Sequence, residues 1–435
     1  MLIALAYFLL VTYLLIGHRK TPNGPYLLSN SYALFLTLPC AIAYYFIHSN
    51  SHGIDYGNYN LNKITYIWIF FFQVVVLLTG FAGYKSGFSS IRATLEKSRI
   101  FIDEDTVIYR FSTVFFISCS VLLLMYVHYA FDFEYLLEPR RLYELSRESF
   151  GSHYFALGFF IRLSALLLLM SNFRRKFIYI LLLVIFSLFT GAKINTYIIV
   201  MFVAMYFIIF RLFGILSLRR VLYLAVFGIP LAYFLIFLTF QNSDTYLLQL
   251  LIAYVNEPWN NFSLLVQSYD QNFASYFYGS LTWENNTISR MPRPLFPDKP
   301  YMFGGFRLAE QYFPETVALG IGAPSFGAEG IAYADWGIFG LLMLVALKWL
   351  LSWGLGRLTA ILTHGQTTNS SGNFLYFGGL LIMADFYFFT LPPSNNLMDN
   401  LIVLLALSAV FGIHRTSQTR LRLPPGRQYR QAFRS

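Results

Sequence analysis

The segment from residue 289 to residue 307 concentrates cations in a chain that otherwise carries few charges. It begins "SRMPRPLFPDKPYMFGG" (289–305) and contains Arg290, Arg293, Lys299 and Arg307.

The prolines of this segment are Pro292, Pro294, Pro297 and Pro300. Each proline fixes φ at about −65°, so the backbone is stiff and presents its cations at set positions. Arginine and lysine arranged in this way bind phosphate groups. The segment therefore predicts a site for an anionic headgroup. Plain solvation or contact with lipid phosphate is the alternative.

Two earlier segments supply further candidate cations. Arg140 and Arg141 lie among glutamates in 132–153, where ion pairs along a surface helix are the alternative explanation. Lys193 lies in "TGAKIN" (190–195), which predicts a tight turn between two apolar runs. A lysine that extends its ammonium group to the membrane interface is the alternative there.

Acidic residues are sparse and their positions are informative. Glu329 lies between Gly327 and Gly330, just before a late apolar run, and is the candidate general base, with a structural cap as the alternative. Arg162 and Asp385 fall inside apolar runs, where an ionisable residue is expected to have a partner in the protein interior. No predicted outer segment clusters His and Asp in the way that a Mg²⁺ or Zn²⁺ site requires. We therefore expect neither a metal nor a cofactor.

The elements that must position these residues are apolar runs. The chain is 57% hydrophobic and 12% charged, whereas soluble domains carry about 25% charged residues. Runs of about 17–25 apolar residues are long enough to cross a bilayer as helices. The class predicted is an all-α polytopic membrane protein with about eleven spans. The spans are expected near 2–17, 31–48, 64–83, 111–131, 154–173, 177–192, 194–213, 221–240, 336–356, 374–391 and 400–413.

Lysine and arginine in the short loops predict the orientation. They follow every odd-numbered span, for example Arg19 and Lys20 after the first and Arg219 and Arg220 after the seventh. The amino terminus is then outside the cell membrane and the basic carboxyl-terminal tail is inside. The predicted divisions are spans 1–8 (1–240), a long outer loop (241–335), spans 9–11 (336–413) and the tail (414–435). The net charge of +10 is therefore attributed to the membrane surface and not to nucleic acid.

The long loop has internal structure in the sequence. "TYLLQLLIAYV" (245–255) is too short to span a bilayer, and "NEPWNNF" (256–262) is expected to break it. "GFRLAEQYFP" (305–314) predicts a short amphipathic helix, and a span is expected to begin at about Trp336.

These segments together resemble the O-antigen polymerase family, which polymerises the repeat units of bacterial surface polysaccharides. The resemblance is carried by "RMPRPLFPDKP" (290–300), by "GIGAPSFGAEGIAYADWGIFG" (320–340) and by the "TGAKIN" turn, which is similar to a Gly-x-Arg turn of that family except that the basic residue is Lys193. The predicted number of spans and the long outer loop also match. By motif the resemblance covers only these stretches, and by topology it covers nearly the whole chain.

The resemblance implies a fold, a reaction and a set of partners. The fold is GT-C-like, of the branch that contains O-antigen ligases and polymerases. The reaction is metal-independent and inverting transfer of a glycan from undecaprenyl pyrophosphate onto a second lipid-linked repeat unit, at the periplasmic face of the bacterial inner membrane. The expected partners are these lipid-linked donor and acceptor glycans, membrane lipids and a chain-length regulator. Arg290 and Arg293 would be catalytic with Glu329, and the substrate-binding residues would be Arg140, Arg141, Lys193, Lys299 and Arg307.

Three other functions share these features. An O-antigen ligase has the same architecture and would attach finished glycan to lipid A core. A GT-C transferase that uses a polyprenyl monophosphate sugar would need an acid in the first outer loop, and Asp55 is available there. A flippase for lipid-linked sugars is the alternative of another class. An inverted repeat, common in transporters, is not evident, and the predicted outer cations favour surface chemistry.

Overall fold

A computed structural model gives the fold for part of the chain. The described residues are 2–16, 24–31, 33–50, 63–92, 114, 118, 121–122, 151–170, 176–189, 193–209, 247–270, 275–288, 291, 296–300, 302–318, 324–364, 379, 405 and 409. Regular secondary structure in these residues is entirely helical. The α-helices are α1 (Leu2–Ile16), α2 (Gly24–Ser29), α3 (Leu38–Asn50), α4 (Lys63–Arg92), α5 (Gly151–Met170), α6 (Lys176–Phe189), α7 (Lys193–Ile209), α8 (Leu247–Asp270), α9 (Ser280–Asn286), α10 (Gly305–Tyr312), α11 (Pro314–Ala318), α12 (Gly327–Trp336) and α13 (Ile338–His364), and a π-helical turn (Ala33–Thr37) precedes α3.

The chain divides into two compact units. The first comprises Met1–Thr94, Ala204–Ala360 and Met383–Asn400, and the second comprises Leu95–Val203, Ile361–Ile382 and Leu401–Ser435. In the first unit, α8 packs against α3, α4 and α12, while α1 packs against α3 and α4. The second unit contains α5, α6 and α7 as far as Val203, and α5 packs against α6.

Glycines bring α4 and α13 into backbone contact. A Cβ atom on Gly83 would collide with the carbonyl oxygen of Trp349, and one on Gly87 would collide with that of Trp353. Residue numbers rise together along both helices, so the two helices run parallel. Small residues at a helix–helix contact are typical of packing in membranes, where they let two backbones approach closely.

The same two helices are long and apolar enough to cross a membrane. The stretches are Ile64–Ser90 and Ile338–Leu362, and the shorter apolar helices are Ile3–Leu14, Leu157–Leu169, Lys176–Leu188 and Ile198–Phe207. Large side chains on them face outward: Ile64 is 78% exposed, Leu342 60% and Leu350 53%. Exposed apolar surface of this extent is unusual in a soluble monomer. The described residues therefore fit a helical membrane protein.

The predicted spans agree with the observed helices where the two can be compared. Helices α1, α3, α4, α5, α6, α7 and α13 coincide with seven of the predicted spans. The predicted spans at 111–131, 221–240, 374–391 and 400–413 lie wholly or almost wholly outside the described residues, and so does Asp385. The count of eleven spans and the GT-C fold remain predictions.

The expected break at 256–262 is wrong, because α8 continues from Leu247 to Asp270 with Pro258 inside it. The polar residues of this stretch make contacts with other parts of the fold and do not end the helix. Asn256 accepts a hydrogen bond from the Tyr66 hydroxyl at 2.7 Å, and the Asn261 side chain donates to the carbonyl oxygen of Ser325 at 2.8 Å. Tertiary contacts of this kind outweigh local propensity.

Helices α6 and α7 flank the predicted turn at 190–195, of which residues 190–192 lie outside the described residues. α6 ends at Phe189 and α7 begins at Lys193. The hydroxyl groups of Ser187 and Thr196 lie 2.7 Å apart across the hairpin. In the second unit, the Arg162 side chain is buried on α5, as its position in an apolar run predicts.

Candidate active site

Helix α12 carries Glu329 and is fixed at both ends by glycine. Gly327 at its start has a φ of +68° and Gly337 after its end has a φ of +60°, conformations that glycine adopts without strain. Between these two residues α12 packs on α8, where the rings of Phe262 and Tyr333 lie 5.6 Å apart. The helix is therefore held against α8 immediately before α13 begins.

The Glu329 side chain points inward. It is 7% exposed and accepts a hydrogen bond through Oε1 from Nε2 of Gln73 on α4. Gln73 is itself buried in an apolar helix, where an unpartnered amide would be costly. A Cβ atom on Gly327 would lie 3.0 Å from Oε2 of Glu329. The glycine thus leaves space beside the second carboxylate oxygen.

A buried lysine that sequence reasoning missed lies on α13. Lys348 is 0% exposed and donates a hydrogen bond to Oδ1 of Asn30 at 2.7 Å. We call Asn30, Gln73, Glu329 and Lys348 the buried polar cluster. The signal was present in the sequence, since Lys348 is a lone charge inside a predicted span and such residues usually have a function.

Tyr26 of α2 holds Asn30 in place. Its side-chain amide donates to the carbonyl oxygen of Tyr26 at 2.7 Å. The Tyr26 hydroxyl donates to the carbonyl oxygen of Leu77 on α4 at 2.5 Å. The buried polar cluster therefore links α4, α12 and α13 with the segment around α2.

The segment that leads into α13 is organised by Asp335, the last acid of α12. Asp335 is fully buried and accepts three hydrogen bonds, from the backbone amides of Leu281 at 3.1 Å and Thr282 at 2.9 Å and from the Thr282 hydroxyl at 2.6 Å. These donors belong to the first turn of α9, whose amides have no partner within the helix. Asp335 therefore fixes α9 on α12.

Helix α9 in turn positions Arg307. The Glu284 carboxylate accepts hydrogen bonds from the Gly304 amide at 2.6 Å and from the Arg307 guanidinium at 2.5 Å. Cζ of Arg307 lies 5.1 Å from the ring centroid of Phe277. Arg307 is thus anchored by an acid and an aromatic ring of the loop, on the amphipathic helix that the sequence predicts.

The Lys299 side chain joins two parts of the proline-rich segment. Its Nζ donates to the carbonyl oxygen of Met291 at 3.0 Å and lies 5.0 Å from the ring centroid of Phe303. In the sequence Met291 lies between Arg290 and Arg293. The contact therefore ties one predicted cation to the stretch of chain that carries two others.

The remaining predicted site residues are not brought together by the described part of the chain. Arg290, Arg293, Arg140 and Arg141 lie outside the described residues. Lys193 is the first residue of α7 in the second unit, and its side chain is also outside the description. That these cations meet Lys299 and Arg307 at one substrate-binding site stays a prediction.

Aromatic residues surround the loop helices. The rings of Tyr269 and Tyr276 stack at 4.8 Å. Burial raises the pKa of Tyr333 to about 12 and also raises the pKa of Tyr269, so both hydroxyl groups are neutral donors at physiological pH. Tyr278 and Trp283 are exposed on the same loop.

The fold and the site fit a helical membrane protein with buried polar and ionisable side chains between its helices. Over 216 residues the chain is 30% identical to the O-antigen polymerases of Salmonella typhimurium (strain LT2) and Salmonella typhi. This match covers 49% of the chain and 51% of each relative, so the chain spans about half the length of the curated relatives it matches. The two relatives confirm the resemblance to the O-antigen polymerase family. No protein-family model matches the chain, and no solved structure does.

Proposed function

We propose that this protein polymerises oligosaccharide repeat units linked to undecaprenyl pyrophosphate into O-antigen or a related surface polysaccharide. The observation that carries the proposal is the 30% identity to two O-antigen polymerases. The proposed place of the reaction is the periplasmic face of the inner membrane. A chain-length regulator is the proposed protein partner.

The donor side of the reaction is assigned to the basic loop. When the bond between the sugar carbon C1 and the pyrophosphate oxygen breaks, negative charge grows on the pyrophosphate. Arg290 and Arg293 would stabilise that charge, with Lys299 and Arg307 holding the donor. Cations fixed in advance at such a position stabilise the transition state with little reorganisation. The anchoring of Arg307 by Glu284 and of Lys299 by Met291 supports this role.

The acceptor side is assigned to Glu329. A hydroxyl oxygen of the acceptor sugar forms the new bond to C1, its proton passes to the Glu329 carboxylate, and undecaprenyl pyrophosphate leaves. A general base of this kind contributes about 10²–10⁴-fold to a rate. We propose inverting, metal-independent transfer, as in the family that the chain resembles.

The test compares Arg290→Ala and Arg293→Ala with wild type in cells that depend on this gene. We expect unchanged protein in the membrane, surface glycan limited to single repeat units, and polymerisation lowered about 100-fold or more. Arg357→Ala is the matched control, because Arg357 lies on α13 over the ring of Trp353 and outside the loop. Wild-type chain lengths in both loop variants would refute the assignment. Polymerised but unattached glycan in a deletion strain would instead identify a ligase.

A further inference from the structure

We propose that four aromatic side chains near the start of α13 form a membrane-interface anchor, which holds the segment 275–288 in the headgroup layer of the lipid bilayer. The residues are Tyr276, Tyr278, Trp283 and Trp336, here called the aromatic patch. The partner of this surface is lipid, and not a sugar or a second copy of the chain. The contact can be measured without any activity.

The first observation is the way in which the aromatic patch is built on the end of α12. The backbone amides of Phe277 and Tyr278 donate to the carbonyl oxygens of Ala334 and Asp335, both at 3.0 Å. Tyr278 has a φ of +51°, a conformation that is uncommon outside glycine and that persists where the surrounding structure fixes it. The ring of Tyr278 then lies 6.1 Å from that of Trp336, edge to face.

Two glycines make room for these rings. A Cβ atom on Gly279 would lie 2.8 Å from the ring of Trp336, and one on Gly337 would lie 2.8 Å from the hydroxyl oxygen of Tyr276. Trp283 donates its backbone amide to the carbonyl oxygen of Gly279 at 3.0 Å and so lies one helical turn further along α9. The aromatic patch is therefore a fixed part of the fold.

The second observation is that the aromatic patch is exposed. Tyr278 is 72% exposed, Trp283 69% and Trp336 43%. Aromatic side chains are large apolar groups with a polar atom at one end, and a group of them on the surface marks a place of contact.

The charge of this surface favours lipid as the partner. In 275–288 and in 336–347, Glu284 is the only charged residue of the sequence. Its carboxylate accepts hydrogen bonds from the Gly304 amide and from the Arg307 guanidinium. The surface around the aromatic patch is therefore apolar or neutral, as a surface in contact with the bilayer requires.

The third observation is continuity with the apolar surface of α13. Trp336 lies two residues before Ile338, where the membrane-length stretch begins, and a Cβ atom on Gly340 would lie 3.2 Å from the Cβ atom of Trp336. Exposed apolar side chains then recur along α13 at helical spacing: Ile338, Phe339, Leu342, Met343, Leu347 and Leu350. Tryptophan and tyrosine are enriched where such a surface meets the headgroups. The aromatic patch therefore continues the lipid-facing surface into the headgroup layer.

The anchor also sets the depth of a loop cation. Glu284 follows Trp283 directly and binds Arg307, so this ion pair is held close to the headgroups, at the level of the pyrophosphate of a lipid-linked substrate. This consequence rests on the proposed function, whereas the lipid contact does not.

The test measures depth by spin labelling of the full-length protein in lipid nanodiscs. Tyr278→Cys and Trp283→Cys each carry a nitroxide in a Cys40→Ala/Cys119→Ala background, which removes both native cysteines. Collisions of the nitroxide with oxygen, which concentrates in hydrocarbon, are compared with collisions with a water-soluble nickel chelate.

Two matched sites calibrate the depth scale. Glu315→Cys is the water reference, because Glu315 is an exposed acid on α11. Leu350→Cys is the hydrocarbon reference, because Leu350 is exposed twelve residues after Ile338, about 18 Å along α13. The oxygen-to-nickel collision ratio at 278 and 283 is expected to lie between those of the two references. A ratio equal to that at 315 places the segment in water and overturns the proposal.

Protein contact is a separate outcome of the same measurement. Nitroxides at 278 and 283 that collide with neither reagent are covered by protein, such as a second copy of the chain, and this result also overturns the proposal. A measurement without labels uses lipids brominated near the headgroup. The difference in emission between wild type and Trp283→Phe is the fluorescence of Trp283, which these lipids are expected to quench; unquenched emission contradicts the lipid contact. If wild type does not polymerise, the proposed function fails, while the depth result still decides the anchor.

Discussion

Replacement of Asp335 by alanine should release helix α9 from the rest of the loop. The Asp335 carboxylate accepts hydrogen bonds from the amides of Leu281 and Thr282 and from the Thr282 hydroxyl. A buried donor left without a partner costs about 1–3 kcal/mol. Because the end of a short helix can fray into water, we expect a total of about 3 kcal/mol for the three donors and not their full sum. A change of 1.4 kcal/mol is a factor of ten, so local opening should rise about 100-fold.

Hydrogen exchange measures this opening directly. In Asp335→Ala the amides of 281–282 should exchange about 100-fold faster, and those of Gly304 and Gly305 should follow, because Glu284 and Asn285 of α9 bind them. Asp335→Asn retains one acceptor oxygen, so its amides of 281–282 should exchange at a rate between those of wild type and Asp335→Ala. Glu315→Ala is the control, since Glu315 is an exposed acid on α11 of the same loop. Exchange in Asp335→Ala within about twofold of wild type would refute the reasoning.

Three further predictions concern packing, the ion pair and alkaline pH. Gly87→Leu should lower the Tm and the yield of folded protein, because its side chain would enter the backbone of α13, whereas the outward-facing Ala82→Leu on the same helix should not. Glu284→Gln should change the Tm by only a few degrees, since this partly exposed ion pair contributes about 1 kcal/mol. The same variant should lower polymerisation more than Arg307→Lys, which keeps the pair, and equal rates would contradict the anchoring role. Because burial raises the pKa of Tyr333 to about 12, its contribution to stability is complete below about pH 10 and is lost as pH rises through 12. Tyr333→Phe should lessen that alkaline loss of Tm, and an unchanged loss would assign it to other groups.

Apolar runs predicted much of the described fold. The predicted spans at 64–83 and 336–356 correspond to α4 and α13, and the amphipathic helix at Arg307 is observed. These features depend on local sequence: uninterrupted apolar runs, and polar and apolar residues that recur with the period of a helix. Local signals of this kind survive folding because no distant contact opposes them.

The features that sequence reasoning missed depend on distant contacts. Asn256 and Asn261 read as helix-breaking residues, but the Tyr66 hydroxyl and the Ser325 carbonyl make them helix-packing residues. Lys348 was overlooked because its hydrogen-bond partner, Asn30, lies 318 positions away in the chain. A single sequence does not encode which of several isolated polar residues meet. The burial of Glu329 was missed for the same reason, because its hydrogen-bond donor, Gln73, lies on a different helix.

The glycine contact between α4 and α13 bears on how the lipid-linked substrate proposed above could reach the site. Where Gly83 and Gly87 touch the backbone of the neighbouring helix, no room is left for a polyprenyl tail to pass between the two helices. If the substrate enters from the bilayer, its tail would have to pass between other helices.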